Sequence, residues 1–205
     1  MSSSPKSIRT ILGATPATAS INDSTLIIID AQNEYVHGQL TTANLNATRP
    51  AILSVLENYR SEKNVHKGKN IVHILHERPE SSPVFTKGTS LFEEFAELRP
   101  AHDSEEKTIV KHQPSSFAGT DLQVYLEGLG DVGKKLVLTG YMAHVCVSTT
   151  ARKAEELGYE VVIVGDAVGN RDIPGVSGEE VTKVVLRELD DAFGTVVKSG
   201  DIQVV

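Results

Sequence analysis

The chain has 205 residues, of which 40% are hydrophobic and 23% are charged, a composition typical of one globular domain rather than of a disordered or fibrous chain. The net charge is −7 and lysine and arginine form no dense run, which argues against a nucleic-acid or anionic-membrane partner, because both need a concentrated positive surface. No apolar stretch approaches the roughly 20 residues that span a bilayer, and residues 1–20 lack the apolar segment of a secretory signal, so the sequence predicts a cytosolic (cytoplasmic) protein.

After a poorly patterned lead-in at residues 1–20, predicted strands and helices alternate along the chain. In chain order they are a strand at 25–30, a helix at 47–60, a strand from 70, a strand at 108–111, a helix at 121–129, a strand at 135–139, a helix from about 146 to 157, a strand at 160–164, a helix from 177 to before 194, and a strand from 195. Apolar strands joined by helical crossovers predict a single α/β domain over 1–205, with three α/β/α layers (Rossmann-like) and a six-stranded parallel sheet.

Local signals support several of these helix boundaries. Pro50 suits the first turn of the first helix, and Thr120 is a candidate N-cap of the second. Ser177 and Glu180 have the spacing of a capping box at the start of the last helix. The long polar segment between the second and third strands is predicted to be a lid or a binding loop, because loops of that length in compact domains are usually functional.

Three chemically active residues fall at the same edge of the predicted sheet. Asp30 ends the first strand, Lys111 ends the third, and Cys146, the only cysteine, opens the helix after the fourth. Ligands of open α/β sheets bind at the carboxyl ends of the strands. A helix N-terminus and a nearby ammonium favour a thiolate, and a carboxylate can accept the thiol proton. The joint placement predicts a site with an activated Cys146 nucleophile, although each residue alone also suits an ordinary structural role.

Three segments resemble the signatures of isochorismatase-like hydrolases, also called cysteine hydrolases. The segment DAQNEY, from Asp30, is similar to the D-x-Q-N-x-F motif of that family. KHQPSSFAGTDL, from Lys111, resembles its lysine segment, and TGYMAHVCVSTTARKAEELGYEVVIVGDA, from Thr139, resembles its cysteine segment. Because three segments in order are more specific than any one, the resemblance over 26–197 identifies the chain as a member of that family of hydrolases.

The resemblance implies a catalytic triad of Asp30, Lys111 and Cys146. It also implies a cis peptide bond between Tyr141 and Met142, and an oxyanion hole formed by the amides of Met142 and Cys146. A small-molecule substrate and a homo-oligomer are further expectations. The same segments supply the substrate-binding candidates, which are Gln32, Tyr35, Phe117, Tyr141 and His144.

Two hydrolytic reactions remain open. In the first, Cys146 attacks the carbonyl of a small amide or ureido compound, forms an acyl-enzyme and relies on Asp30 for proton transfer. In the second, Asp30 protonates the vinyl ether of isochorismate, and water releases pyruvate and 2,3-dihydro-2,3-dihydroxybenzoate without the thiol. The retained Cys146 favours the first reaction, whereas the pair Ala143-His144 resembles isochorismatases proper. A non-catalytic scaffold is the third hypothesis, and the intact triad argues against it.

No metal and no cofactor are predicted. Nicotinamidases of this family carry metal-binding histidines and an aspartate after the second strand. This chain has His73 and His76 in that region, and histidines three residues apart on a strand point to opposite faces, so we expect them to be structural or substrate-lining. The motif G-x-G-x-x-G at Gly128, Gly130 and Gly133 follows a helix rather than a strand, unlike a dinucleotide-binding loop.

Overall fold

Short segments rich in valine, isoleucine and leucine form a sheet of six parallel strands in the computed structural model, which describes residues 5–205. The strands are β1 (Thr25–Ile29), β2 (Ile71–His76), β3 (Lys107–Lys111), β4 (Lys135–Gly140), β5 (Glu160–Val168) and β6 (Thr195–Val197). Their order across the sheet is β3-β2-β1-β4-β5-β6, and every neighbouring pair is parallel. The predicted six-stranded parallel sheet is confirmed.

Helices cover both faces of this sheet. They are α1 (Ile8–Ile11), α2 (Glu34–His37), α3 (Leu45–Arg60), α4 (Leu122–Gly128), α5 (Ser148–Glu156) and α6 (Gly178–Ala192), with 3-10 turns at Gly130–Lys134 and Ser199–Asp201 and a π-helical turn at Ala143–Val147. All five residues of β1 are buried, which is typical of a central parallel strand covered on both sides. No helix in the described range 5–205 has both the length and the apolar character needed to cross a bilayer.

The helix boundaries agree with the local signals in part. Ser177 caps α6, and its capping box with Glu180 is formed in both directions, as predicted. Pro50 lies in the second turn of α3 rather than in its first turn, because α3 begins at Leu45. Thr120 is not the N-cap of α4; Asp121 holds that position without a side-chain cap.

The amino-terminal lead-in, predicted to be poorly patterned, packs against the domain within its described part. The amide of Ile8 donates to Asp191 Oδ1 at 3.0 Å, which ties α1 to α6. Ala17 and Ala19 are buried. Residues 1–4 of the predicted lead-in lie outside the described residues.

The strand order reverses between β1 and β4, which creates the crevice where open α/β sheets bind ligands. Gly140 ends β4 at this point with a φ of 110°, and a Cβ there would overlap the carbonyl oxygen of Ile29. The amide of Tyr141 donates to that same carbonyl at 2.9 Å. The two strands therefore approach closely because position 140 has no side chain.

Candidate active site

The side chains of Asp30, Lys111 and Cys146 meet at the carboxyl edge of the sheet. Lys111 Nζ lies 2.8 Å from Asp30 Oδ2 and donates to Cys146 Sγ at 3.3 Å. Asp30 and Lys111 are fully buried and Cys146 is 4% exposed. The structure thus brings together the three residues of the predicted triad, and their catalytic roles stay predictions.

Asp30 has an unusual backbone conformation. Asp30 follows β1 with a φ of 50°, in the left-handed region that aspartate tolerates better than most residues. Its amide still donates to the carbonyl of Ile74 at 2.9 Å, so the turn begins immediately after the last strand hydrogen bond. Within residues 5–205 neither carboxylate oxygen has a well-aligned hydrogen-bond donor, so the carboxylate is held mainly by its ion pair with Lys111.

Cys146 lies inside the π-helical turn at Ala143–Val147, not at the first position of the helix as predicted. The helical segment begins three residues earlier because the amide of Ala143 donates to the carbonyl of Gly169 at 2.9 Å. The amides of Val145 and Val147 both donate to the Met142 carbonyl, at 3.1 and 3.2 Å. Cys146 therefore still lies in the first turn of a continuous helical segment that leads into α5.

The surroundings of Cys146 oppose the predicted activation of its thiol, which stays a prediction. Burial and the negative charge of Asp30 raise the pKa of the Cys146 thiol, and the nearby Lys111 ammonium only partly opposes them. Burial also raises the pKa of Asp30 in spite of the Lys111 charge. Both groups thus hold their protons more strongly than an exposed cysteine and an exposed aspartate do.

The strand-end argument missed one member of this site, His76. It ends β2, and its Nδ1 lies 3.0 Å from Lys111 Nζ and 3.9 Å from Asp30 Oδ2. Burial and the Lys111 charge lower the pKa of His76 to about 3, so its imidazole is neutral. The signal was available in the sequence, because β2 ends at the same edge as β1 and β3.

His73, three residues earlier on β2, points away from His76, as predicted. Its Nδ1 lies 2.8 Å from Glu94 Oε1 and its Nε2 lies 3.0 Å from Glu106 Oε2. Burial opposes the charged form, but the hydrogen bonds to Glu106 and Glu94 raise the pKa of His73 to about 9. Arg60 completes this buried network by bonding Glu106 at 2.8 Å.

Two of the predicted substrate-binding residues hold neighbouring structure. Gln32 donates to the carbonyls of His76 and Phe92, at 3.0 and 2.6 Å, and accepts from the His76 amide at 2.7 Å. Its side chain therefore fixes the end of β2. Phe117 stacks on Tyr159, with ring centroids 5.6 Å apart.

The other three predicted substrate-binding residues differ in what their polar atoms contact. The Tyr141 hydroxyl lies 2.6 Å from Thr48 Oγ1, and His144 Nδ1 lies 2.7 Å from Asn170 Oδ1. Tyr35 is fully buried, and its hydroxyl has no hydrogen-bond partner among residues 5–205. Substrate contact by any of the five candidates stays a prediction.

The segment between β2 and β3, predicted as a lid or binding loop, covers the site with Phe85. The Phe85 ring centroid lies 5.0 Å from that of His76 and 5.4 Å from that of Tyr35. Its amide donates to Glu34 Oε2 at 3.3 Å, which holds the cover against α2. Phe85 itself is 5% exposed, so its ring is buried between this segment and the site.

One set of potential metal ligands lies within the site. One potential ligand atom each of Asp30, His76 and Cys146 lies within 4.8 Å of the other two. The Lys111 ammonium is within 2.8 to 3.3 Å of all three side chains, so it supplies the positive charge that a metal would bring. This set differs from the pair of histidines considered in the sequence.

The peptide bond between Tyr141 and Met142 is cis, as the resemblance implied. Within residues 5–205 the Met142 amide donates to no hydrogen-bond acceptor. The proposed partner amide, that of Cys146, follows in the same turn. The oxyanion hole formed by these two amides stays a prediction.

Comparisons with known proteins agree with this fold. Residues 24–201 match the family model of the isochorismatase domain. The chain is 52% identical to the secreted isochorismatase effector Isc1 of Verticillium dahliae, over 96% of this chain and 98% of that protein. An isochorismatase structure from Pseudomonas putida superimposes with a TM-score of 0.88 at 27% identity, covering 97% of this chain and 100% of that one. The N-carbamoylsarcosine amidase of Thermoplasma acidophilum superimposes with a TM-score of 0.72 at 27% identity, covering 88% and 99%.

The first of these relatives contradicts the predicted cytosolic location. A protein described as secreted aligns with 96% of this chain at 52% identity. The prediction was wrong because it used only the lack of a recognisable apolar signal segment, and export without such a segment leaves no trace of that kind.

Proposed function

Because this chain belongs to the isochorismatase family and is therefore a hydrolase, we propose that it hydrolyses the vinyl ether of isochorismate with Asp30 as the general acid. The observation that carries the proposal is the fully buried Asp30, whose pKa is raised by burial and which lies 2.8 Å from Lys111. A buried carboxyl group with a raised pKa is suited to acid catalysis. The relative named as an isochorismatase effector supports the same reaction.

The proposed reaction consumes one water and regenerates the enzyme. Protonated Asp30 donates its proton to the terminal methylene carbon of the enol ether, which leaves an oxocarbenium centre at the ether carbon. The ionised carboxylate then stabilises this positive charge and accepts a proton as water adds. The hemiketal that results separates into pyruvate and 2,3-dihydro-2,3-dihydroxybenzoate. Lys111 opposes the effect of burial on the Asp30 pKa, so the carboxyl group can release its proton.

A second candidate is cleavage of a C–N bond in a small amide or ureido compound. It is favoured by Cys146, whose sulfur accepts a hydrogen bond from Lys111 at 3.3 Å, and by the similarity to N-carbamoylsarcosine amidase. Asp30 would take the thiol proton as sulfur attacks the carbonyl and would return it to the departing amine. We rank this reaction second, the reverse of the order from sequence, because the raised pKa of Cys146 disfavours the thiolate.

A turnover assay with matched variants tests both candidates. Isochorismate and a panel of small amides and ureido compounds are offered, with pyruvate and ammonia as readouts. We expect the wild-type protein and Cys146→Ala to release pyruvate at similar rates, and Asp30→Asn to lose about 10²- to 10⁴-fold in rate. Asp131→Asn is the control, because that exposed side chain is far from the site. Absence of pyruvate from the wild type, or its loss in Cys146→Ala, would reject the first candidate.

Three further properties belong to this proposal. Residues 1–205 form a single domain that acts on a small molecule. The protein forms a homo-oligomer, which light scattering of the purified protein measures. It is secreted, as the relative from Verticillium dahliae is described to be, and its presence in culture medium tests this.

A further inference from the structure

Two buried polar atoms beside the triad have no hydrogen-bond partner among residues 5–205. They are Nε2 of His76 and the hydroxyl oxygen of Tyr35. His76 is 6% exposed and Tyr35 is fully buried. Burying a polar group is unfavourable unless a partner is present, so unpaired groups at a functional site indicate where a ligand binds.

The contacts of His76 indicate that its Nε2 is a hydrogen-bond donor. The Lys111 ammonium can only donate hydrogen bonds, and it lies 3.0 Å from His76 Nδ1. Nδ1 must therefore be the acceptor and carry no proton. A neutral imidazole with an unprotonated Nδ1 carries its proton on Nε2. The lowered pKa of His76, caused by burial and by the charges of Lys111 and Arg78, agrees with this neutral form.

The Tyr35 hydroxyl is a feature that the family signature does not require. Tyr35 takes the aromatic position of the D-x-Q-N-x-F motif, where phenylalanine would fill the same space without a polar atom. Burial is the largest cause of the raised pKa of this hydroxyl, which therefore keeps its proton. It is therefore available as a second donor.

Both donors belong to side chains that pack on one ring. Phe85 lies 5.0 Å from His76 and 5.4 Å from Tyr35, measured between ring centroids. Lys111 and Arg78 bring positive charge near His76, and the Asp30 carboxylate, 3.9 Å from His76 Nδ1, is paired with Lys111. The nearby Glu34 carboxylate accepts the amides of Gln39, Leu40 and Phe85, at 2.7, 3.3 and 3.3 Å, which compensates its negative charge.

We propose that the Nε2–H of His76 and the hydroxyl of Tyr35 together bind a carboxylate group of the substrate under the Phe85 ring. The enzyme thereby selects small substrates that carry a carboxylate. Hydrogen bonds to a charged acceptor are about twice as strong as those between neutral groups, so two such donors discriminate against an uncharged analogue. This inference rests on the proposed hydrolase function and applies to either of the two reactions.

Binding of benzoate and of benzyl alcohol, which has a similar size but no charge, tests the inference without turnover. Wild-type protein labelled with ¹⁵N-histidine is titrated with each compound, and the His76 nitrogen signals and the dissociation constants are measured. We expect benzoate to shift the Nε2 signal of His76 and to bind at least about tenfold more tightly than benzyl alcohol.

Four variants separate recognition from a structural role. Tyr35→Phe removes only the hydroxyl, with Tyr125→Phe as its control. His76→Asn keeps an acceptor for Lys111 but removes the outer donor, whereas His76→Gln carries its amide farther out, near the position of Nε2. We expect Tyr35→Phe and His76→Asn each to weaken benzoate binding about 10-fold or more, with benzyl alcohol unchanged and partial recovery in His76→Gln.

The outcomes also separate this inference from the proposed function. Equal losses for both compounds, or benzoate binding without a shift at His76, would overturn the carboxylate subsite. If isochorismate is not hydrolysed but benzoate still binds through both donors, the subsite stands and the proposed reaction fails. If isochorismate is hydrolysed and Tyr35→Phe leaves its KM unchanged, the reaction stands and the subsite fails.

Discussion

Lys111 Nζ lies 2.8 Å from Asp30 Oδ2, and both side chains are completely buried. Each member of a buried ion pair is stabilised mainly by the other, because removing one charge leaves the other without compensation. The same ammonium contacts His76 and Cys146, so one cation holds these two side chains and Asp30 together.

Loss of this cation is expected to destabilise the fold. Lys111→Met should lower the free energy of unfolding by about 3 to 5 kcal/mol, because the buried Asp30 carboxyl group loses the ammonium that compensates it. Urea unfolding at neutral pH measures this. The double variant Asp30→Asn with Lys111→Met should recover part of the loss. Lys134→Met, whose ion pair with Asp131 is exposed, is the control and should leave stability nearly unchanged. An equally small effect of Lys111→Met would contradict the prediction.

Alkylation of Cys146 by iodoacetamide should report its raised pKa. Because burial and the Asp30 charge both raise it, half of the maximal rate should be reached above the ordinary thiol pKa of about 8.5. Asp30→Asn removes the negative charge and should move the midpoint to lower pH, with mass spectrometry of the single cysteine as the readout. A wild-type midpoint below pH 8 would contradict this prediction.

The buried His73 should make a contribution to stability that depends on pH. Its folded-state pKa of about 9 lies above the ordinary histidine value of 6.5, so its hydrogen-bonded charged form stabilises the fold fully below pH 6.5. This contribution is lost as the pH rises through about 9. The stability difference between the wild type and His73→Gln should therefore shrink between pH 6.5 and pH 10. His112→Gln, at an exposed position, is the control, and a constant difference for His73→Gln would argue against the charged form.

Gly140 should not tolerate a side chain. A Cβ there would overlap the Ile29 carbonyl, and the φ of 110° is strained for any other residue. Gly140→Ala should cost at least about 2 kcal/mol in thermal or urea unfolding and should impair turnover, because Tyr141 and Asp30 follow these two strand ends. Gly128→Ala is the matched control, since a Cβ at that helical position meets nothing within 4 Å and should be neutral or slightly stabilising. Equal effects of the two substitutions would rule out this close approach.

The parts of the fold that depend on neighbours in sequence could be predicted. Alternating apolar and amphipathic segments predicted the six parallel strands, and the Ser177–Glu180 pair predicted the start of α6. The positions of Asp30 and Lys111 at strand ends predicted where the site lies. These features follow from side-chain periodicity and capping, which involve residues a few positions apart.

What only the tertiary structure decided involves residues far apart in the chain. The helical segment before α5 begins at Ala143 because its amide reaches the carbonyl of Gly169. Lys111 meets His76 across 35 positions, and that contact decides which imidazole nitrogen can donate to a ligand. The pKa of Cys146 is raised because the assembled domain removes water from the thiol and places Asp30 beside it. Solvation and the distance between charges are properties of the packed molecule, and a pattern along the chain does not contain them.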